Sequence, residues 1–225
     1  MSEPNVVVFD LDGTLVEGDS FGLFCVQLAA RAPVRIGLLL LFVPLFVAAA
    51  LPQGRRKRVL SLGLWLLSWG MTLADYQKQV QAFVERRFDR GTRHIITEAV
   101  LRLRAHAATA STLVVVTGCE ERLARQIANE ALGLAPDALV VGSKIERKWG
   151  GFVAQFHCLG RAKLGALERS HILPPYDLVY TDSALDLPLL LASRAGVLVR
   201  PSRRNRAKIE ARLPQIEILD QRTVS

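Results

Sequence analysis

Asp10 and Asp12 close a run of three valines and a phenylalanine, in "VVVFDLDGTL" at residues 6–15, with one leucine between the two carboxylates. A strand that merely stops needs one Asp or Asn before a glycine; two carboxylates flanking a single apolar residue mark a site. Other strand ends carry complementary groups. "TLVVVTG" (112–118) ends on Thr117-Gly118, and "DLVYTD" (177–182) ends on Asp182-Ser183, with Asp186 four residues on. Lys163 stands near the start of a helical stretch in "CLGRAKLGALE". Several carboxylates in one pocket raise each other's pKa unless a cation joins them, and a hard divalent ion with oxygen ligands, Mg²⁺ by preference, resolves this. The Thr117 hydroxyl, the backbone amides around it and the Lys163 ammonium then supply donors for an anion such as phosphate. One aspartate of the first pair can attack phosphorus; the other can protonate the leaving oxygen and later activate water.

Such convergence requires a particular scaffold. Five short apolar runs, at 6–10, 112–118, 137–145, 177–182 and 196–201, read as buried strands. Stretches at 120–132, 161–170 and 184–193 read as helices between them. This alternation predicts an α/β, Rossmann-like core: a parallel sheet covered by helices on both faces. In such a sheet ligands sit outside the carboxyl ends of the strands, at the switch point. Because the sheet begins at residue 6 and resumes near residue 92, the stretch from about 17 to 90 is an inserted cap and residues 1–16 and 91–225 form the core.

The insertion is unusual. Residues 36–54 carry no charge, then come Arg55, Arg56, Lys57 and Arg58, then a second uncharged run at 59–74. A soluble cap helix shows a polar face, and the first run has none. Its most apolar part, 36–51, spans roughly 24 Å as a helix, short of a ~30 Å hydrocarbon core, and Pro44 would kink it. Two full crossings would translocate the basic loop, against the positive-inside tendency, so a re-entrant or in-plane hairpin over about 33–74 is the leading expectation, with two crossings and a pair of buried cap helices left open. It would place the basic cluster at anionic headgroups and Trp65 and Trp69 at the interface.

Composition agrees with an anionic partner: 29 basic against 21 acidic residues give a formal charge of +8. No acidic residue occurs between Ser20 and Ala74, and a second basic cluster fills 200–212. Neither patch has the aromatic interleaving of an RNA-binding sheet, so nucleic acid is not the expected partner. Cys25, Cys119 and Cys158 lack paired spacing and read as reduced, inert thiols. The opening "MSEPN" has no basic or apolar leader pattern, so no signal peptide is expected. Rival assignments stay open for Lys144 as the site lysine and for Asp186 as a helix N-terminal charge, and Asp19 could either face the leaving group from the cap side or take a solvated or capping role with Ser20.

"FDLDGTL", "VVVTG", "GRAK" and "YTDSALD" resemble, in order and spacing, the four motifs of the haloacid dehalogenase (HAD) superfamily of phosphohydrolases. The cap placement is similar to its phosphoserine phosphatase-like branch. The resemblance implies Asp10 as a nucleophile forming an aspartyl-phosphate, and Asp12 as general acid/base with its backbone carbonyl on Mg²⁺. Thr117 would bind the phosphoryl group, with Gly118 beside it, and Lys163 would stabilise the phosphoaspartate. Asp182 would ligate Mg²⁺ and Asp186 would support that shell. A narrower resemblance, in the apolar cap with "GRRKR", in "LWLLSWG", "FHCLGRAKLGALE" and "YTDSALDLPLL", is to the phosphatidylglycerophosphatase C family. It implies a phosphorylated lipid substrate, phosphatidylglycerophosphate, at the cytoplasmic face of a bacterial inner membrane. A soluble phosphatase of the same branch, acting on a small polar phosphoester, is the alternative. A membrane-bound protein that binds phosphate without turnover is a third.

Overall fold

A computed structural model describes residues 5–31, 37, 53–89, 91, 93–109 and 112–220, with the backbone alone at 53–60. Most of the uncharged run at 36–54, and the side chains of Arg55, Arg56, Lys57 and Arg58, therefore lie outside the described residues.

Seven strands form one sheet: β1 (Val6–Phe9), β2 (Thr112–Glu120), β3 (Leu139–Lys148), β4 (Gly151–Phe156), β5 (Tyr176–Thr181), β6 (Ser193–Val199) and β7 (Glu217–Leu219). Their order is β4-β3-β2-β1-β5-β6-β7, and every neighbouring pair is parallel except β3 with β4. The parallel pairing follows from near-continuous apolar strands, whose two faces both need cover. Val7 and Phe9 point to one face and Val8 to the other, each in a separate apolar cluster. α4 (Thr97–Ala107) and α5 (Glu121–Glu130) cover the first face; α6 (Arg161–Arg169), α7 (Leu187–Leu191) and α8 (Arg203–Glu210) cover the second. Because β1 lies between β2 and β5, its carboxyl end is the switch point of the sheet.

Between β1 and α4 the described residues include the helices α1 (Ser20–Ala30), α2 (Gln53–Ser68) and α3 (Leu73–Phe88). Their apolar faces share the cluster of the first sheet face, where Phe24 packs edge-on against Tyr76 and Phe83, and Tyr76 against Phe152 of β4. Entry and exit are tied together: Glu17 donates its N–H to the His94 carbonyl and Ile96 to that of Leu15, at 2.9 Å each. Across the same boundary Tyr76 donates its hydroxyl to buried Glu120 at 3.0 Å, while Glu120 caps α5 through the Leu123 N–H. Tyr76→Phe is expected to cost about 1–2 kcal/mol in chemical denaturation, because a buried carboxylate loses a donor. Burial raises Glu120 above its ordinary 4.5 despite the donors around it. The folded chain therefore keeps this proton to higher pH than the unfolded one; the stability it contributes is full below 4.5 and fades as pH rises through the folded value. Thermal melts should show Glu120→Gln gaining on wild type as pH rises above about 4.5.

Two expectations about the insertion need correction. The second uncharged run is not a lipid-inserted arm in its described part, because Leu64, Leu66 and Leu67 are buried within the protein. The reason is the free edge of β4. Ser68 Oγ accepts from the Phe152 N–H at 2.8 Å and Ser61 Oγ from that of Ala154 at 3.0 Å, so α2 covers edge donors that would otherwise be unpaired. Trp65 is drawn into the same contact, its indole N–H reaching the Lys148 and Trp149 carbonyls, and it stacks on Trp69. Among the described residues no helix is long and apolar enough to cross a membrane. The sequence reading also omits β4, whose turn carries Trp149 and Gly150 at positive φ, and the three-residue β7.

Candidate active site

Asp10 follows the last residue of β1, and its N–H donates to the Tyr180 carbonyl of β5 at 2.9 Å, which extends the sheet by one bond and fixes the side chain at the switch point. Thr117 lies two residues past Val115, the β2 partner of Phe9. Asp182 follows β5 directly, and Lys163 rises from the first turn of α6. The three sequence-predicted strand ends and the helix start that carries Lys163 therefore meet at one end of the sheet.

The centre of this cluster is a buried ion triad. The Lys163 ammonium lies 2.8 Å from Asp10 Oδ1 and 2.7 Å from Asp186 Oδ2, and Lys163 and Asp186 are 2 % and 1 % exposed. Thr181 donates its hydroxyl to the same Asp186 oxygen at 2.9 Å and accepts the Ser183 N–H. Asp186 is thus no mere helix-terminal charge: it holds Lys163 against Asp10. Lys144, the rival lysine, is exposed.

Electrostatics follow from this burial. Loss of water pushes the Asp10 carboxyl up to about 8; Lys163 pulls it down, and Asp186 and Asp182 push it up again. Burial alone would lower the Lys163 ammonium, but Asp10 and Asp186 more than reverse this and hold it above its usual range. Burial likewise raises Asp12 to about 6, against donation from Ser20, whose N–H lies 3.1 Å from Asp12 Oδ1. Asp182 also rises to about 6, mainly by burial. A carboxyl near 6 is suited to give and take a proton around neutral pH.

Backbone shape brings these groups together. After Asp12 the chain turns back on itself, with the Gly13 N–H on the Val16 carbonyl at 2.7 Å. Gly13 sits at φ +80, and a Cβ there would stand 2.6 Å from Asp182 Oδ2, so the Asp182 carboxylate lies directly over the glycine. Gly13→Ala should lower kcat/KM by about 10²-fold, because it both strains the turn and displaces Asp182; steady-state kinetics beside a thermal melt would check it. Gly118 is equally confined: a Cβ would meet Leu159 Cδ2 at 2.5 Å. Thr117 is fully buried and its Oγ1 accepts the Cys119 N–H at 3.0 Å, which leaves its hydroxyl hydrogen to give.

Among the described residues no three His, Cys, Asp or Glu side chains could together hold a metal ion. The donors present nevertheless fit Mg²⁺, which is commonly bound through one or two carboxylates plus substrate phosphate and water. Asp10 and Asp182 act on each other electrostatically, and Gly13, having no side chain, lets the Asp182 carboxylate sit against the loop that carries Asp10 and Asp12.

Several contributors were not singled out in sequence. Thr181 precedes the aspartate of "YTD", where a hydroxyl before a strand-end carboxylate is a usable signal. Asn205 holds the Asp182 loop by donating to the Asp182 carbonyl at 3.0 Å, and nothing in the basic run around it distinguishes it. Asp19 caps α1, accepting the Gly22 N–H at 2.9 Å, as one of its two expected roles required. Burial raises the thiols of Cys25 to about 12 and of Cys158 to about 11, and lifts that of Cys119 well above its ordinary value, so they carry negligible thiolate at neutral pH.

A switch-point carboxylate paired with a buried lysine on a doubly wound sheet makes an α/β site suited to an anionic ligand. The chain belongs to the haloacid dehalogenase-like hydrolase family, whose model matches residues 7–191. Among solved structures it is similar to a protein of unknown function from Bordetella pertussis Tohama I, at 20% identity and TM-score 0.70, covering 97% of this chain and 99% of that one. It is also similar to a phosphoserine phosphatase in apo form, at 14% identity and TM-score 0.61, with 98% and 95% covered. A phospho-aspartyl intermediate analogue of phosphoserine phosphatase matches at 14% identity and TM-score 0.58 over the same shares.

Proposed function

We propose that the protein is a Mg²⁺-dependent phosphomonoesterase working through an aspartyl-phosphate on Asp10. The observation that carries this reading is the Asp10–Lys163–Asp186 triad, a buried ammonium held 2.8 Å from the attacking carboxylate. A carboxylate oxygen of Asp10 bonds to phosphorus as the ester P–O bond breaks, and Asp12 gives its proton to the departing oxygen. Asp12 then takes a proton from water, whose oxygen attacks phosphorus; the Asp10–phosphorus bond breaks and inorganic phosphate leaves. Lys163 offsets charge on the phosphoryl oxygens and Thr117 donates a hydrogen bond to them. Mg²⁺, held by Asp10, Asp182 and the Asp12 carbonyl, would supply further charge neutralisation and orientation.

For the substrate, the likeness to phosphoserine phosphatases supports a small polar phosphoester. A phosphorylated lipid, phosphatidylglycerophosphate, is the second reading, and one corner of the molecule favours it. Trp69 is 52% exposed and Trp149 83%, on two turns joined by the Gly70 N–H to the Gly150 carbonyl at 2.7 Å. Exposed tryptophans beside a basic, uncharged-run insertion suit an anionic headgroup layer. Phosphate release should be measured with Mg²⁺ and with EDTA, from phosphoserine and other soluble esters and from phosphatidylglycerophosphate in mixed micelles. Metal-dependent release from soluble esters alone supports the first substrate; selective release from the lipid supports the second. Release from none of them would overturn the phosphatase reading.

A further inference from the structure

β2 and β3 slip out of register at the turn that carries Thr117. Val116 pairs with Val141 and Glu120 with Ser143, so Thr117, Gly118 and Cys119 stand opposite Gly142 alone. Such a bulge re-aims side chains and takes backbone groups out of the ladder. It lies tight on β3: a Cβ at Gly142 would stand 2.8 Å from both the Cys119 carbonyl oxygen and Glu121 Cα. A buried carbonyl in a bulge needs a donor from outside the ladder, and at Gly118 a side chain supplies it. Ser143, 7 % exposed, donates its hydroxyl to the Gly118 carbonyl at 2.7 Å.

The Ser143 proton is held in that direction. Its Oγ accepts the Cys158 N–H at 3.0 Å, and His157 Nδ1 lies 3.2 Å away. A hydroxyl has one hydrogen and two acceptor sites. With the hydrogen on a carbonyl, the His157 contact is an Nδ1–H donated to Ser143, and both acceptor sites are filled. The Gly118 carbonyl shares a planar peptide unit with the Cys119 N–H, which donates to Thr117 Oγ1 at 3.0 Å. Ser143 therefore holds one end of a rigid unit whose other end orients the Thr117 hydroxyl.

We infer that Ser143 is a positioning residue for the reaction: by fixing the Gly118–Cys119 peptide it sets where Thr117 gives its hydrogen. The inference rests on the phosphomonoesterase reading, in which that hydrogen goes to the phosphoryl oxygens. Without the Ser143 hydroxyl the peptide can rotate, the Cys119 N–H leaves Thr117 Oγ1, and the donor loses its aim.

The test compares Ser143→Ala with Ser68→Ala on the full chain. Ser68 is also buried, and its hydroxyl bonds Leu64 and Phe152 at the β4 edge, so its loss reads stability alone. With Mg²⁺ and an ester that the wild type turns over, Ser143→Ala should lower kcat/KM by about 10–10²-fold and Ser68→Ala by less than about threefold, at comparable losses of Tm. Equal declines would assign Ser143 to stability and overturn the inference, while the phosphatase reading stood. Ser143→Cys keeps the shape and only a weak donor, so it should fall between wild type and Ser143→Ala. It also gives the answer if Ser143→Ala does not fold, and wild-type activity in it would overturn the inference.

A double-mutant cycle reads the route of the effect. Thr117→Val should cost about 10²-fold, and adding Ser143→Ala less than about threefold more, since the hydroxyl to be aimed is gone. Losses that multiply would mean that Ser143 acts elsewhere, against the inference. Calorimetry of inorganic phosphate with Mg²⁺ reads binding without turnover: Kd should rise about tenfold in Ser143→Ala and hold in Ser68→Ala. That pattern in a chain that hydrolyses no ester would keep Ser143 as the holder of an anion-binding turn and remove the phosphatase reading. A phosphate Kd unchanged in Ser143→Ala would overturn the inference at any level of turnover, and a wild type that neither hydrolyses an ester nor binds phosphate would overturn both.

Discussion

Asp10→Asn should abolish phosphate release, by at least about 10³-fold in kcat, with the fold retained. The amide has the shape of the carboxylate and keeps an oxygen for the Lys163 ammonium, at 2.8 Å in the wild type, and for the Leu11 N–H at 2.9 Å. It lacks the negative oxygen that must bond to phosphorus. Stability should change little: burial already opposes the Asp10 charge, and Lys163 keeps Asp186 at 2.7 Å. Kinetics beside a thermal melt would separate the two effects. Activity within a few-fold of wild type would remove Asp10 from the nucleophile role.

Lys163→Met should act on both stability and turnover. It leaves Asp10 and Asp186 buried and facing each other with no cation between them, and breaking a buried ion pair from one side costs about 3–5 kcal/mol. Turnover should decline by about 10²–10³-fold as well, because the phosphoryl oxygens lose a preorganised positive charge. Adding Asp186→Asn removes one of the stranded charges, so the double variant should regain part of the stability and none of the activity. If the double variant recovered both together, the lysine would be a structural ion-pair partner and no part of the reaction.

The sequence disclosed the site better than its surroundings. Asp10, Thr117 and Asp182 were legible because a parallel sheet needs apolar strands, so polar residues at strand ends stand out against them. Lys163 and Asp186 were legible through their spacing, although only the packed structure shows that one holds the other. Arg87 was not legible, since an arginine late in a cap helix looks the same whether it faces solvent or the loop after Asp12. The run at 59–74 misled for a related reason. An uncharged helix reads alike under lipid and under protein, and what decides is the edge of β4, whose free N–H groups find Ser61 and Ser68. β7, three residues at the sheet's far edge, is too short to carry a period-2 signal.

The central claim is that phosphate passes through Asp10. The direct measurement is to mix the enzyme with Mg²⁺ and a turned-over phosphoester, quench in acid or trap with borohydride, and locate the modification by peptide mass spectrometry. A phosphoryl group, or its reduced homoserine product, on the peptide containing Asp10, absent in Asp10→Asn, is the predicted result. Steady turnover with no modification at Asp10 under any quench, or the label on another residue, would contradict the account.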